Sequence, residues 1–158
     1  MDNNVDRGNA ASESANEGLP DELVAQEEAF LEGVPRFNIG AFLLPGIWGP
    51  GHGLWICILF YPIWLFADDV LYGAYIQQTP LSIALAAILF VALLAVHIVF
   101  GILSQPYAWH KAAERGISKE TYLKRERIWT VAMIILGAVA LVIATYYNLQ
   151  IRPFLDVS

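Results

Sequence analysis

From residue 37 onward the chain is a series of long apolar runs separated by short polar stretches, and three of the runs are long enough to cross a bilayer. A hydrocarbon layer takes roughly 20 helical residues. Residues 81–103, LSIALAAILFVALLAVHIVFGIL, contain no Asp, Glu, Lys or Arg. Residues 128–147, IWTVAMIILGAVALVIATYY, contain none either, with Arg127 before them and Asn148 after. Each predicts a membrane helix. The first apolar region, residues 37–66, has Pro45, Gly46, Gly49, Pro50, Gly51 and Gly53 in its first half, a run that no straight helix tolerates. It is read as two pieces: residues 37–50, interfacial or re-entrant, and a span over residues 51–71. The Pro-Gly cluster would leave backbone groups unpaired in lipid, which places it at headgroup level.

The first 36 residues have a different texture. They hold nine of the 15 acidic residues against Arg7 and Arg36 alone, and so little apolar content cannot bury a core. Residues 1–18 are read as a disordered leader. After them Pro20, Asp21 and Glu22 at the start and Gly33 at the end frame a short helix near residues 20–32. Its polar face carries Glu27, Glu28 and Glu32, so an anionic leaflet would repel it. It is left either to dock on a basic protein surface or to keep the tail soluble. Over the whole chain, 57% of residues are hydrophobic and 15% charged, with a mean hydropathy of +0.51. These values exclude an ordinary water-soluble domain.

Orientation follows the basic residues. Six lie between the second and third spans: Lys111, Arg115, Lys119, Lys124, Arg125 and Arg127. Residues 67–80, from the outer end of the first span to the start of the second, have none and carry Asp68 and Asp69. The expected topology is therefore N-terminus inside and C-terminus outside. Trp48, Trp55, Tyr107, Trp109 and Trp129 would form one aromatic belt, and Trp64, Tyr72, Tyr75, Tyr146 and Tyr147 the other. Residues 104–127 read as a basic helical hairpin, with Gly116 ending one helix and Ser118 capping the next. Lys111, Arg115, Lys124, Arg125 and Arg127 are its expected contacts with anionic lipid headgroups. Nucleic acid is not an expected partner, because Glu114, Glu120 and Glu126 dilute the charge and the pI is 4.9.

Candidate chemistry is sparse. His97 is the one ionisable side chain well inside a clean span, which makes it a candidate polar site. Thr130 and Tyr61 are its expected partners, and a hydrogen bond between helices its expected role. Asp68 and Asp69 point about 100° apart on a helix, so they make no two-carboxylate site and are expected to face water. His52, between Gly51 and Gly53, is placed in a flexible setting at the inner interface. The lone Cys57 lies in an apolar run that lacks a base, so an inert thiol is expected. No phosphate-binding loop, dinucleotide fingerprint, serine elbow or zinc-peptidase motif is present. Hence no catalytic residue, cofactor or metal site is assigned.

Residues 37–48, FNIGAFLLPGIW, resemble a box of the form F-N-W-x-A-F, followed by P-x-W, found in a family of small bacterial inner-membrane proteins with no assigned reaction. Ile39 stands where that box has its second aromatic residue. The stretch from Ala108-Trp109-His110 to Arg125-Glu126-Arg127-Ile128-Trp129 is similar to the basic linker of some members. The resemblance implies a bacterial inner-membrane location and a helical bundle. On physical grounds alone, Phe37, Asn38, Phe42, Pro45 and Trp48 would anchor an interfacial segment and set its angle to the first span.

The expectation is thus an all-α integral membrane bundle of three transmembrane helices with an interfacial pre-helix. A tail over residues 1–36 precedes a membrane domain over residues 37–158. Its expected role is that of a non-enzymatic accessory or scaffold subunit, bound to the bilayer and to a membrane or cytoplasmic protein. The alternative is a small oligomeric transport component that uses His97.

Overall fold

The computed structural model describes residues 21–155; the leader read over residues 1–18 lies outside them. The chain divides into two units, Met1–Gly33 and Val34–Ser158. The described part of the first is helix α1, Asp21–Leu31, with Asp21 and Glu22 in its opening turn and no buried residue. Acids there complement the positive end of the helix dipole.

The second unit is all helical among the described residues. Two short helices come first: α2, Ile39–Leu43, and α3, Pro45–Gly51. Asn38 starts α2 by accepting a 2.9 Å hydrogen bond from the Ala41 N–H through its Oδ1, and Pro45 at the head of α3 presets that helix's first turn. A 3₁₀ turn, Trp55–Leu59, leads into α4, Phe60–Gln77. The chain reverses at Gln78, which adopts a left-handed conformation, and at Thr79. Thr79 and Ser82 form a reciprocal capping box for α5, Pro80–Glu114. Gly116, with φ +70°, turns the chain again. Ser118 caps α6, Lys119–Tyr146, by accepting from the Thr121 N–H. A π-turn, Tyr147–Ile151, and α7, Arg152–Leu155, follow.

Three segments are long and apolar enough to cross a membrane: Trp55–Gln77, Pro80–Glu114 and Lys119–Leu155. At 1.5 Å per residue the 35-residue α5 is about 50 Å long, against a hydrocarbon core of about 30 Å. Its polar end, with the start of α6, therefore projects beyond the core as the basic hairpin. The surface is that of a protein in lipid. Leu65, Ile88 and Leu141 are each at least 68% exposed, whereas Asn38, Ser104, Gln105 and Glu126 are buried. Water would penalise that arrangement and hydrocarbon favours it. The chain is a multi-pass membrane protein.

The segment over residues 37–52 is the heart of the bundle. Helix α2 packs on both α5 and α6, which contact each other only sparsely. Trp48 is 0% exposed, and Gly40, Ala41, Pro45, Gly46 and Gly49 are buried around it. This corrects the expectation that Trp48 anchors the segment among headgroups: its indole is enclosed by protein. Trp109 is likewise buried, so the belt expected to hold Trp48 and Trp109 is partly core. The glycines explain the close fit. A Cβ on Gly49 would collide with the Cys57 side chain, and one on Gly101 would lie 2.7 Å from the Phe37 ring. That bare stretch of α5 also lets the Asn38 N–H donate to the Gly101 carbonyl at 2.8 Å.

Candidate functional site

The inner face of the hairpin carries one residue series on each helix. From Gly101 onward the buried residues of α5 are Gly101, Ser104, Gln105, Ala108, Trp109 and Ala112, and on α6 they are Tyr122, Glu126 and Met133. These spacings are helical, so each series forms one stripe. Gln105 and Glu126 therefore point inward, where Asn38, Trp48 and His52 meet them.

The contacts form a closed network. The two N–H groups of the Asn38 amide serve Gln105 Oε1 at 2.6 Å and Glu126 Oε2 at 2.7 Å. Their direction is fixed because Asn38 Oδ1 is occupied by the α2 cap. The Trp48 indole donates to Glu126 Oε2 over a longer 3.4 Å. His52 Nε2 lies 2.6 Å from Glu126 Oε1, and its Nδ1 lies 2.8 Å from the Trp48 carbonyl. A carbonyl only accepts, so a proton on Nδ1 serves the Trp48 carbonyl and a proton on Nε2 serves Glu126. The imidazole stacks on Trp48 at 3.9 Å between centroids and tilts against Trp129 at 5.2 Å. Tyr122 packs on Trp109 and donates from its hydroxyl to the Gln105 carbonyl at 3.5 Å. Burial pushes the Tyr122 phenol up, and the nearby Glu126 carboxylate pushes it further. Among the described residues no buried side-chain polar atom lacks a partner.

His52 is thus largely buried and held through both ring nitrogens, which corrects the flexible setting expected for it. Glu126, expected to be a diluting surface charge, is its partner. Chemically the arrangement is saturated, because both nitrogens of His52 and both oxygens of Glu126 are engaged. No group of three or more His, Cys, Asp or Glu side chains suited to a metal occurs among the described residues.

Outside this network lies a cleft of about 120 Å³, lined among others by His52, Lys111, Arg115, Arg125, Glu126 and Trp129. Lys124 and Arg127, expected to share the same lipid contacts, are exposed and do not line it.

His97 sits deeper, on α5. Its partner is neither Thr130 nor Tyr61: the Trp64 indole donates to Nε2 at 3.1 Å, and Nδ1 donates to the Leu93 carbonyl at 2.8 Å. The aromatic rings of Phe42, Phe60 and Trp64 lie around it. The bond joins the first span to the second. His97 also borders an apolar groove of about 580 Å³ running along Gly137, Ala140 and Ala144 of α6. Phe37 lies against Phe42 near Gly101.

At the opposite end of the spans Asp68 and Asp69 do not simply face water. Arg152 Nη2 reaches Asp69 at 2.6 Å and Nη1 reaches Asp68 at 3.3 Å, while Asn148 donates to Asp68 at 2.6 Å. Adjacent helical carboxylates diverge, and a guanidinium fork can take one on each arm.

Comparison of the chain with family models, curated proteins and solved structures finds no match.

Proposed function

We propose that this membrane protein is a non-enzymatic accessory or scaffold subunit of a membrane complex, of the bacterial inner-membrane type that the sequence resembles. In this reading the N-terminus and the hairpin are cytoplasmic and the C-terminus lies outside, as the basic residues favour. The observation that carries it is the groove along α6. Gly137, Ala140 and Ala144 leave the helix backbone open on a lipid-facing surface that the chain's own helices do not cover. Small residues at such a face let another helix approach closely. The saturated hydrogen bonding of His52, Glu126 and His97 supports the non-enzymatic part, because each of their side-chain nitrogens and oxygens already has a partner within the chain.

The alternative, an oligomeric transport component, is favoured by one observation: His97 borders that same groove. Native mass spectrometry of the full chain, released gently from its own membrane, separates the two. A stoichiometric foreign subunit that is lost on Gly137→Leu supports the accessory role. A homo-oligomer alone, whose solute flux disappears on His97→Leu while assembly persists, overturns it.

A further inference from the structure

We propose that the cleft at the base of the hairpin is a binding site for one phosphate-bearing anion, supplied in the membrane by the headgroup of an anionic phospholipid. This inference stands independently of the accessory role. It begins with the placement of like charges. Lys111 Nζ and Arg115 Nη2 lie 3.8 and 3.9 Å from the point that a Cβ on Gly53 would occupy. The two cationic ends therefore converge over a residue with no side chain, and Arg125 lines the same cleft.

Counter-charge is sparse there. The side chains of Arg115 and Arg125 have neither an ion pair nor a hydrogen bond among the described residues, and Lys111 Nζ donates only to the hydroxyl of Tyr107 at 3.1 Å. The one acid lining the cleft, Glu126, has both oxygens committed to His52, Asn38 and Trp48. Three positive charges border a space of about 120 Å³, with Glu126 the single acid among its lining residues. Bringing them together is unfavourable unless an anion sits among them. Guanidinium forks match phosphate oxygens in pairs, and lysine adds a point charge.

The position favours a lipid as the source. Trp129 lines the cleft next to exposed Ile128, at the start of the apolar part of α6. A headgroup held by Lys111, Arg115 and Arg125 would leave its acyl chains to run down the exposed apolar face below. Gly53, at φ +86°, keeps the mouth of the site clear of a side chain.

The test uses the full-length protein in detergent, with lipid retention read by native mass spectrometry. One phosphatidylglycerol per chain is expected to be retained in preference to phosphatidylcholine. Arg115→Gln and Arg125→Gln should each weaken retention about fivefold, as expected for one basic residue at a lipid surface. The double variant K124Q/R127Q should retain it as the parent does. A parallel titration with inorganic phosphate distinguishes the sources: displacement of the lipid at millimolar phosphate would make free phosphate the ligand and overturn the lipid assignment. Equal retention of the two lipids, or equal loss in K124Q/R127Q and in the cleft variants, would overturn the site itself.

Discussion

His52 Nε2 and Glu126 Oε1 lie 2.6 Å apart although 74 residues separate them in the chain. The contact fastens the Gly-Pro-rich segment that precedes the first span to the helix that opens the third. Because Asn38 and Trp48 meet the other oxygen of the same carboxylate, Glu126 is the point through which the buried segment is tied to the hairpin.

Shape and hydrogen bonding, more than charge, should set the value of that carboxylate. A glutamine at 126 can turn its oxygen to Asn38 and Trp48 and its amide to His52 Nε2, so Glu126→Gln should cost about 1 kcal/mol or less. Glu126→Leu strands three polar partners in a buried site and should cost about 3 kcal/mol or more. Thermal unfolding of the full chain in detergent compares them. Equal destabilisation by Gln and Leu would show that the charge carries the contact.

Tyr122 makes the fold sensitive to alkali. Its phenol is raised above the ordinary value of 10.0 by burial first and by Glu126 second. The folded chain therefore keeps a proton that the unfolded chain releases. The stabilisation is complete below pH 10 and is lost as pH rises beyond it. Tyr122→Phe should remove that part of the alkaline slope. Melting temperatures of parent and variant at pH 8 and at about pH 11 give the difference directly, and identical slopes would refute it.

Much of the fold was legible because its determinants are local. Uncharged runs mark the second and third spans, and the Gly116 and Ser118 signals coincide with the turn between α5 and α6. The buried network was less so, because its members come from three distant segments. Glu126 lies among Lys124, Arg125 and Arg127, and by composition it reads as one more surface charge. The signal that could have found it was periodic: Tyr122, Glu126 and Met133 fall on one helical stripe, facing the stripe that holds Gln105. Trp48 misled for a related reason, since an aromatic residue near a Pro-Gly turn has the composition of a headgroup anchor whether lipid or protein surrounds it.

Two glycines should respond oppositely to a methyl group. At Gly49 the new Cβ would meet the Cys57 side chain and lie 3.1 Å from the Leu54 carbonyl oxygen, whereas at Gly137 the nearest neighbour is Leu44 Cδ1 at 4.0 Å. Gly49→Ala should destabilise by about 1–3 kcal/mol through overpacking. Gly137→Ala should be neutral or add up to about 1 kcal/mol from helix propensity. Unfolding in detergent measures both, and a tolerated Gly49→Ala would mean that the 3₁₀ turn is free to move.

The His97–Trp64 contact can be weighed by a double-mutant cycle. Trp64→Phe leaves His97 Nε2 without its donor, and His97→Leu leaves the indole N–H without its acceptor, each inside the spans. Neither polar group remains once both changes are made. The double variant should therefore be more stable than the sum of the single losses implies, by about 0.6 kcal/mol, the average for hydrogen bonds between membrane helices, and by no more than about 1.7 kcal/mol. Reversible unfolding in mixed micelles supplies the four free energies. Strict additivity would mean that the two rings only pack together, and the bond between the first and second spans would lose its energetic role.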